Sequence, residues 1–262
     1  MSLNLDLTGR VAVVTGGTRG VGAGIARAFL QAGAAVVVCA RRPPDAPIAA
    51  DGRTARFRPV DLREPDGVRE LLQAVAADHG RLDCLVNNAG GTPYRLLGET
   101  TAERHARVVE LNLVAPMTAS LAAYEVMRGQ PDGGSVIMIG SVSGTRPSPG
   151  TAAYGAAKAG LDNLARSMAV EWAPHVRVNT LVLGMVRTEL TALHYGDEDG
   201  IAAVGATVPL GRLAEPTEIG DACVFLASGR AGYVSGASLL VHGGGERPAF
   251  LDAATVNHPK EP

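Results

Sequence analysis

Short apolar runs alternate with amphipathic segments along almost the whole chain. The runs are rich in valine, isoleucine and leucine and are nearly continuous, with glycine at many of their ends. Such runs, separated by helical segments, are typical of a parallel sheet that is covered on both faces. They predict an α/β fold with a doubly wound sheet of about seven strands. The predicted strands are RVAVVTGG, AAVVVCARR, TARFRPVDL, RLDCLVNNAG, GGSVIMIGS, VRVNTLVLG and GASLLVHGG.

The intervening segments have helical spacing and helix end signals. Two of them stop at glycines, Gly33 and Gly80, which favour a left-handed residue after a helix. Another helical pattern extends from about Thr101 to Met127. No linker or internal repeat divides the chain. We therefore expect one domain over residues 1–245, followed by an irregular tail over 246–262.

Composition narrows the class of protein. The 262 residues are 46% apolar, and 24 Lys+Arg against 26 Asp+Glu give a net charge of −2. No basic field favours nucleic acid, and no apolar run approaches the ~18 residues that span a membrane. The three cysteines lack the spacing of metal ligands, and the first residues lack a signal-peptide pattern. We expect a cytoplasmic protein without a metal, nucleic-acid or membrane partner.

A glycine-rich loop, TGGTRGVG over residues 15–22, joins the first strand to the first helix. Glycines at this place allow a tight turn and let backbone N–H groups approach a pyrophosphate at the helix N-terminus. The loop predicts a dinucleotide site in a single-domain, Rossmann-type sheet with helices on both faces. The candidate contacts in the loop are Gly16, Thr18, Arg19, Gly20, Val21 and Gly22.

The end of the second strand is basic rather than acidic. NAD sites usually have a carboxylate there, about 20 residues after the loop, to accept from the ribose 2′-hydroxyl. This chain has Arg41 and Arg42 instead, and Arg19 is expected to project toward the same place. Guanidinium groups bind phosphate through paired hydrogen bonds. NADP(H) is therefore favoured over NAD(H), the alternative being that Arg41 and Arg42 are solvated loop charges.

A tyrosine and a lysine stand four residues apart in AAYGAAKAG, among alanines and glycines. On a helix, Tyr154 and Lys158 share one face. A cation at ~4 Å contributes about 4 kcal/mol at an effective dielectric of 20. We therefore expect Lys158 to lower the pKa of Tyr154, so that the phenol exchanges protons near neutral pH. The small neighbours are expected to leave room for a cofactor and a substrate. The alternative is an ordinary helix with a packed tyrosine.

Four motifs follow one another along the chain: the glycine loop, NNAG at residues 87–90, a serine thirteen residues before Tyr154, and YxxxK. In this order and at these spacings, they make the chain resemble the short-chain dehydrogenase/reductase family, from about Leu7 to Gly245. The resemblance implies Ser141, Tyr154 and Lys158 as the catalytic set, with Asn112 positioning a water near Lys158. It also implies further cofactor contacts: Asp61 and Leu62 at the adenine, Asn88, Ala89 and Gly90 at the ribose and nicotinamide, and Val186 and Thr188 at the carboxamide.

Function follows as an expectation from the resemblance. The family transfers hydride between nicotinamide and a carbonyl or secondary alcohol, and similar bacterial members act on 3-oxoacyl thioesters. We expect NADPH-linked reduction of a hydrophobic ketone or 3-oxoacyl thioester, with residues 189–210 as a lid and a homotetramer as the assembly. The alternatives are an NAD-dependent secondary-alcohol dehydrogenase acting on steroid-like or acyl substrates, and a non-catalytic dinucleotide sensor. A sensor needs no proton transfer, so the presence of Ser141, Tyr154 and Lys158 together argues against it.

Overall fold

The computed structural model describes residues 5–254 and contains nine strands. They are β1 (Val11–Thr15), β2 (Ala35–Ala40), β3 (Ala49–Ala50), β4 (Arg53–Thr54), β5 (Arg56–Pro59), β6 (Cys84–Asn87), β7 (Gly134–Ser141), β8 (Val176–Leu183) and β9 (Ser238–Val241). Seven of them form one sheet in the order β5-β2-β1-β6-β7-β8-β9, and every pairing in it is parallel. β3 and β4 form a separate antiparallel hairpin.

The strand order reverses at β1, because the chain runs outward through β2 and β5 and then returns to place β6 on the other side of β1. Ligands of doubly wound sheets bind at such a switch point, outside the carboxyl ends of the strands. The glycine loop follows β1 and the NNAG motif follows β6, so both predicted cofactor segments lie at this edge.

Helices cover both faces of the sheet. They are α1 (Gly20–Gln31), α2 (Pro65–His79), α3 (Ala102–Val109), α4 (Ala115–Met127), α5 (Ala152–Glu171), α6 (Ala192–Tyr195), α7 (Glu198–Ala206), α8 (Pro216–Ala227) and α9 (Ala249–Ala253). One core contains Phe29 of α1 and Ile219 of α8 against Val14 of β1. The other contains Leu72 of α2 and Leu161 of α5 against the preceding residue of β1, Val13. Adjacent strand residues thus enter opposite cores, which explains why the apolar runs are continuous.

The seven-stranded parallel sheet with helices on both faces confirms the predicted fold class. Two segments differ in detail. Residues 189–210 contain α6 and α7, and the tail expected to be irregular contains the short α9, while 255–262 lie outside the described residues. No helix in the described part of the chain is both long and apolar enough to cross a bilayer.

Candidate active site

The glycine loop is closed so tightly that Gly16 and Gly22 have no room for a side chain. Gly16 and Gly20 have φ values of 63° and 51°, in the left-handed region that favours glycine. A Cβ on Gly22 would lie 2.3 Å from the carbonyl oxygen of Gly16, and a Cβ on Gly16 would lie 2.9 Å from Cα of Ala89. The loop therefore presents bare backbone at the N-terminus of α1, where N–H groups and the helix dipole favour an anion.

Thr15 joins this loop to the end of β6. Its Oγ1 accepts from the backbone N–H groups of Asn88 and Ala89, both at 3.0 Å. The Asn88 amide donates back to the carbonyl oxygens of Thr15 at 2.9 Å and Gly16 at 3.3 Å. The Asn88 side chain thus holds the loop in place. Sequence reasoning missed Thr15, although a threonine directly before the first glycine was a visible signal.

The arginines predicted at the 2′-phosphate are exposed at this same edge. Arg19 precedes α1, while Arg41 and Arg42 follow β2. Within residues 5–254 no carboxylate forms an ion pair with Arg19, Arg41 or Arg42. Three guanidinium groups are therefore available to an anionic ligand. Their role at a 2′-phosphate stays a prediction.

Asp61, predicted at the adenine, is held by an arginine that sequence reasoning did not single out. Arg63 donates from Nε to Asp61 Oδ1 at 3.0 Å and from Nη2 to Oδ2 at 2.5 Å. This hydrogen bonding lowers the pKa of Asp61 to about 2, with a small contribution from Arg41. Asp61 is thus a fixed, ionised acceptor. Neighbouring Leu62 is half-buried against the core on the α2 side of the sheet.

Residues 186–188 approach the start of α1. Val186 forms a parallel bridge with Ala214. Thr188 Cγ2 lies 3.4 Å from the point where a Cβ on Gly20 would stand. The predicted carboxamide contacts and the glycine loop therefore share one side of the site.

Tyr154, Lys158 and Ser141 meet at the carboxyl end of β7. Lys158 Nζ lies 5.4 Å from the centroid of the Tyr154 ring and donates to the carbonyl oxygen of Ile139 at 2.7 Å. Ser141 ends β7, and its side chain hydrogen-bonds Tyr154. Ser141 Oγ also accepts from the Ser143 N–H at 3.1 Å, which holds the hydroxyl beside the phenol.

The small residues around this pair have a packing role that the sequence interpretation did not foresee. A Cβ on Gly155 would lie 2.6 Å from the carbonyl oxygen of Ser143, and one on Gly144 would lie 2.7 Å from the backbone nitrogen of Ala159. The 3₁₀ turn Val142–Gly144 therefore packs directly on α5. This contact places Ser141 beside Tyr154.

The expected lowering of the Tyr154 pKa by Lys158 is wrong for this structure. Burial raises the pKa of Tyr154, and the Ser141 hydrogen bond opposes the rise by less. Burial also lowers the pKa of Lys158 to about 8. Both effects have one cause, since low-dielectric surroundings disfavour phenolate and ammonium alike. Tyr154 is therefore a phenol at neutral pH.

Asn112 lies inside a π-helical turn, Glu110–Val114, between α3 and α4, and is fully buried. Its amide donates to the carbonyl oxygens of Gly91 at 3.0 Å and Val108 at 2.9 Å, and its Oδ1 accepts from the Gly91 N–H at 2.9 Å. A Cβ on Gly90 would lie 2.5 Å from Asn112 Oδ1 and 3.5 Å from Lys158 Nζ. The structure thus brings Asn112, Gly90 and Lys158 together. The Asn112 amide is hydrogen-bonded to backbone groups of Gly91 and Val108.

Comparison with known proteins identifies the family. A family model described as enoyl-(acyl carrier protein) reductase matches residues 16–246. The 3-oxoacyl-(acyl-carrier-protein) reductase FabG of Vibrio cholerae is 38% identical over 243 residues, covering 92% of this chain and 98% of that protein. The chain belongs to the short-chain dehydrogenase/reductase family. It is accordingly an NAD(P)-dependent oxidoreductase.

Other members of the short-chain dehydrogenase/reductase family differ in their substrates. L-fucose dehydrogenase of Oryctolagus cuniculus is 38% identical over 253 residues, covering 94% of this chain and 88% of its own. The RhlG/NADP active-site complex of Pseudomonas aeruginosa has 33% identity and a TM-score of 0.83, covering 93% of this chain and 99% of that one. The family and the oxidoreductase class are thus established for this chain, whereas these names disagree about the substrate.

Proposed function

We propose that this short-chain dehydrogenase/reductase uses NADPH to reduce a hydrophobic ketone or a 3-oxoacyl thioester. The observation that carries the proposal is the convergence of Ser141, Tyr154 and Lys158 beside a glycine cradle at the switch point. A bare dinucleotide-binding module needs the cradle but no phenol, hydroxyl and ammonium next to it.

The residues at the switch point fit a phosphorylated dinucleotide. The bare backbone at Gly16 and Gly22 fits a pyrophosphate, because a Cβ at either position would occupy the space of backbone or of Asn88. Arg19 and Arg41 are exposed cations without an ion-pair partner among the described residues, which suits a 2′-phosphate. Asp61, held as an anion by Arg63, is an acceptor for the adenine amino group. When bound, the cofactor supplies a hydride.

Proton transfer falls to the chain itself. The raised pKa of Tyr154 keeps its proton in place at neutral pH, so the phenol donates it to the substrate oxygen as charge develops there. The Ser141 hydroxyl rotates about its C–O bond from the phenol to donate a second hydrogen bond to that oxygen. Lys158 is the buried cation next to the phenol and stabilises the tyrosinate that remains. A protonated Tyr154 favours reduction, because alcohol oxidation requires the phenolate as a base.

The substrate class rests on the surface near the site and on the relatives. Leu193 and Leu210, in the predicted lid over 189–210, are 79% and 68% exposed, and Tyr94 is 67% exposed beside Gly150. Apolar side chains at an entrance suit an apolar substrate. The FabG relative acts on 3-oxoacyl groups. A second candidate, NAD-linked oxidation of a secondary alcohol such as a sugar, is suggested by the L-fucose dehydrogenase relative.

We further propose that the protein is cytoplasmic and assembles as a homotetramer.

Cofactor preference is the first test. Fluorescence titrations of NADPH and NADH at one fixed salt concentration should give much tighter binding of NADPH. Arg41→Ala and Arg19→Ala should weaken NADPH and leave NADH nearly unchanged. Arg128→Ala, at an exposed arginine that directly follows α4 and pairs with Glu125, is the control. Equal affinity for the two cofactors in the unaltered protein would contradict the NADPH assignment and move the screen to NAD⁺ with secondary alcohols.

Turnover is the second test. The unaltered protein should oxidise NADPH in the presence of acetoacetyl-CoA or an apolar ketone. Tyr154→Phe should keep NADPH affinity within a few-fold and lower kcat by about 10²–10⁴, the usual contribution of a general acid. Substantial residual turnover in Tyr154→Phe would show that another group donates the proton.

A further inference from the structure

Two groups of opposite charge follow neighbouring strands at the outer side of the proposed cofactor site. In the β2–β5 register Ala40 pairs with Pro59, and the Val60 N–H donates to the Ala40 carbonyl oxygen at 3.0 Å. Arg41 follows directly after β2, and Asp61 is the second residue after β5. The guanidinium group proposed to bind the 2′-phosphate therefore lies one strand away from a carboxylate.

A carboxylate next to Arg41 competes with the 2′-phosphate for the same guanidinium. Both are anions that accept paired hydrogen bonds from arginine. Arg41 contributes to lowering the pKa of Asp61, so the two charges act on each other. Within the described part of the chain, however, Asp61 forms its ion pair with Arg63 and leaves the exposed Arg41 free. The choice of partner made by Asp61 thus decides whether Arg41 is available to a phosphate.

Arg63 occupies the Asp61 carboxylate with three hydrogen bonds. Its Nε and its backbone N–H donate to Oδ1 at 3.0 Å and 3.1 Å, and its Nη2 donates to Oδ2 at 2.5 Å. The Glu64 N–H donates to the Asp61 carbonyl oxygen at 3.0 Å, which closes a tight turn just before α2. This turn brings Arg63 to the carboxylate, whereas Arg41 would have to reach it from another strand.

The other acidic neighbours of Arg63 do not draw it away from Asp61. Glu110 and Glu64 act on the Arg63 guanidinium electrostatically, and each does so more weakly than Asp61. The side-chain hydrogen bonds of Arg63 among the described residues go to Asp61. If Arg63 were removed, the ionised Asp61 would lose these bonds while Arg41 stayed within its electrostatic reach. We therefore expect Asp61 to turn to Arg41 when Arg63 is absent.

We propose that Arg63 is a positioning residue for recognition of the 2′-phosphate of NADPH, because by holding Asp61 it leaves Arg41 free to bind this phosphate. The inference rests on the proposed function, which names the cofactor. Arg63 acts through Asp61 and not by contact with the phosphate. It thereby sets the preference for NADPH over NADH from outside the phosphate pocket.

The ratio of the affinities for NADPH and NADH isolates this effect. The two cofactors share the adenine, the pyrophosphate and the nicotinamide, and they differ only in the 2′-phosphate. A general loss of packing, or a displacement of Asp61 against the adenine, weakens both cofactors alike. Loss of Arg41 to a competing carboxylate weakens NADPH alone.

Fluorescence titrations of NADPH and NADH at one fixed salt concentration test the proposal. We expect Arg63→Ala to weaken NADPH binding about tenfold and to leave NADH nearly unchanged, because one charge-assisted contact to the phosphate is lost. Adding Asp61→Asn to this variant should restore most of the NADPH affinity, because the amide has no charge with which to compete for Arg41. Arg63→Lys keeps a cation beside Asp61 and should retain most of the preference.

Arg69→Ala is the matched control. It removes the same charge from a nearby exposed arginine of α2, which pairs with Asp66 at 2.8 Å. The ratio of the two affinities should stay unchanged in this variant, because neither Asp61 nor Arg41 loses a partner. Tm values measured for every variant show that the compared proteins are folded.

The outcomes separate this proposal from the proposed function. An unchanged ratio in Arg63→Ala overturns the proposal, and so does a loss that Asp61→Asn does not restore, since Arg63 would then contact the phosphate itself. Equal affinities in the unaltered protein overturn the NADPH assignment together with this inference. A crystal structure of Arg63→Ala adds a readout that needs no cofactor: Asp61 paired with Arg41 supports the proposal, and Asp61 directed into solvent overturns it.

Discussion

Replacing Gly22 by alanine tests whether the glycine loop is closed by backbone as tightly as the structure shows. The new Cβ would lie 2.3 Å from the Gly16 carbonyl oxygen and 2.5 Å from the Asn88 amide nitrogen. The first neighbour is backbone, which cannot move without opening the loop. The second donates to Thr15 and Gly16 at 2.9 Å and 3.3 Å and loses these hydrogen bonds if it moves.

The magnitude follows from three contributions. Overpacking of a tight site costs about 1–3 kcal/mol, and each lost hydrogen bond about 1 kcal/mol. Alanine in place of glycine inside a helix returns up to about 1 kcal/mol. We therefore expect Gly22→Ala to lower the free energy of unfolding by about 1–4 kcal/mol and the Tm by several degrees. NADPH affinity should fall with it, because the displaced backbone is the predicted pyrophosphate site.

Gly67→Ala is the matched control, since Gly67 also lies in the first turn of a helix, α2. Its Cβ would meet only Val60 Cγ2 at 3.7 Å and Glu64 Cβ at 3.9 Å, which are ordinary contacts. This variant should stabilise the protein by about 0.5–1 kcal/mol. Denaturant titrations and NADPH fluorescence measure both variants. If Gly22→Ala proved as stable as the unaltered protein while Gly67→Ala was stabilised, the close approach at Gly22 would be refuted.

Two further predictions concern buried polar groups. Burial lowers the pKa of Lys158 from 10.5 to about 8, so at neutral pH the protonated lysine lowers the free energy of unfolding. Lys158→Met should therefore stabilise the protein by about 3 kcal/mol at neutral pH and remove turnover. Between pH 8 and 10.5, Lys158 is protonated in the unfolded chain but neutral in the folded protein, so the stability gained by Lys158→Met should shrink as pH rises through this range. A gain that denaturant titrations find independent of pH would contradict burial of the ammonium as its cause. Asn112→Ala leaves groups of Gly91 and Val108 unpaired and should cost about 2–4 kcal/mol. Asn163→Ala, at an exposed asparagine of α5, should cost almost nothing, and equal Tm values for the two would argue against the buried hydrogen bonds.

Much of the fold and the grouping of several candidate site residues could be predicted from the sequence, because their signals are local. Continuous apolar runs between helical segments follow directly from strands that are buried on both faces. The spacing of Tyr154 and Lys158 places them on one helix face whatever surrounds them. Glycine at positions 16 and 20 is needed for a backbone conformation that other residues rarely adopt.

What the sequence left open depends on contacts between elements that are distant along the chain. The pairing of Thr15 with Asn88, and of Asp162 with Ser238, exists only once strands from remote segments lie side by side. The direction of the Tyr154 pKa was predicted wrongly because spacing alone says nothing about burial, and burial is the largest cause of the shift. Sequence thus determined which groups stand together within one element, whereas tertiary structure decided their dielectric surroundings and their partners, since both come from side chains and backbone of other elements.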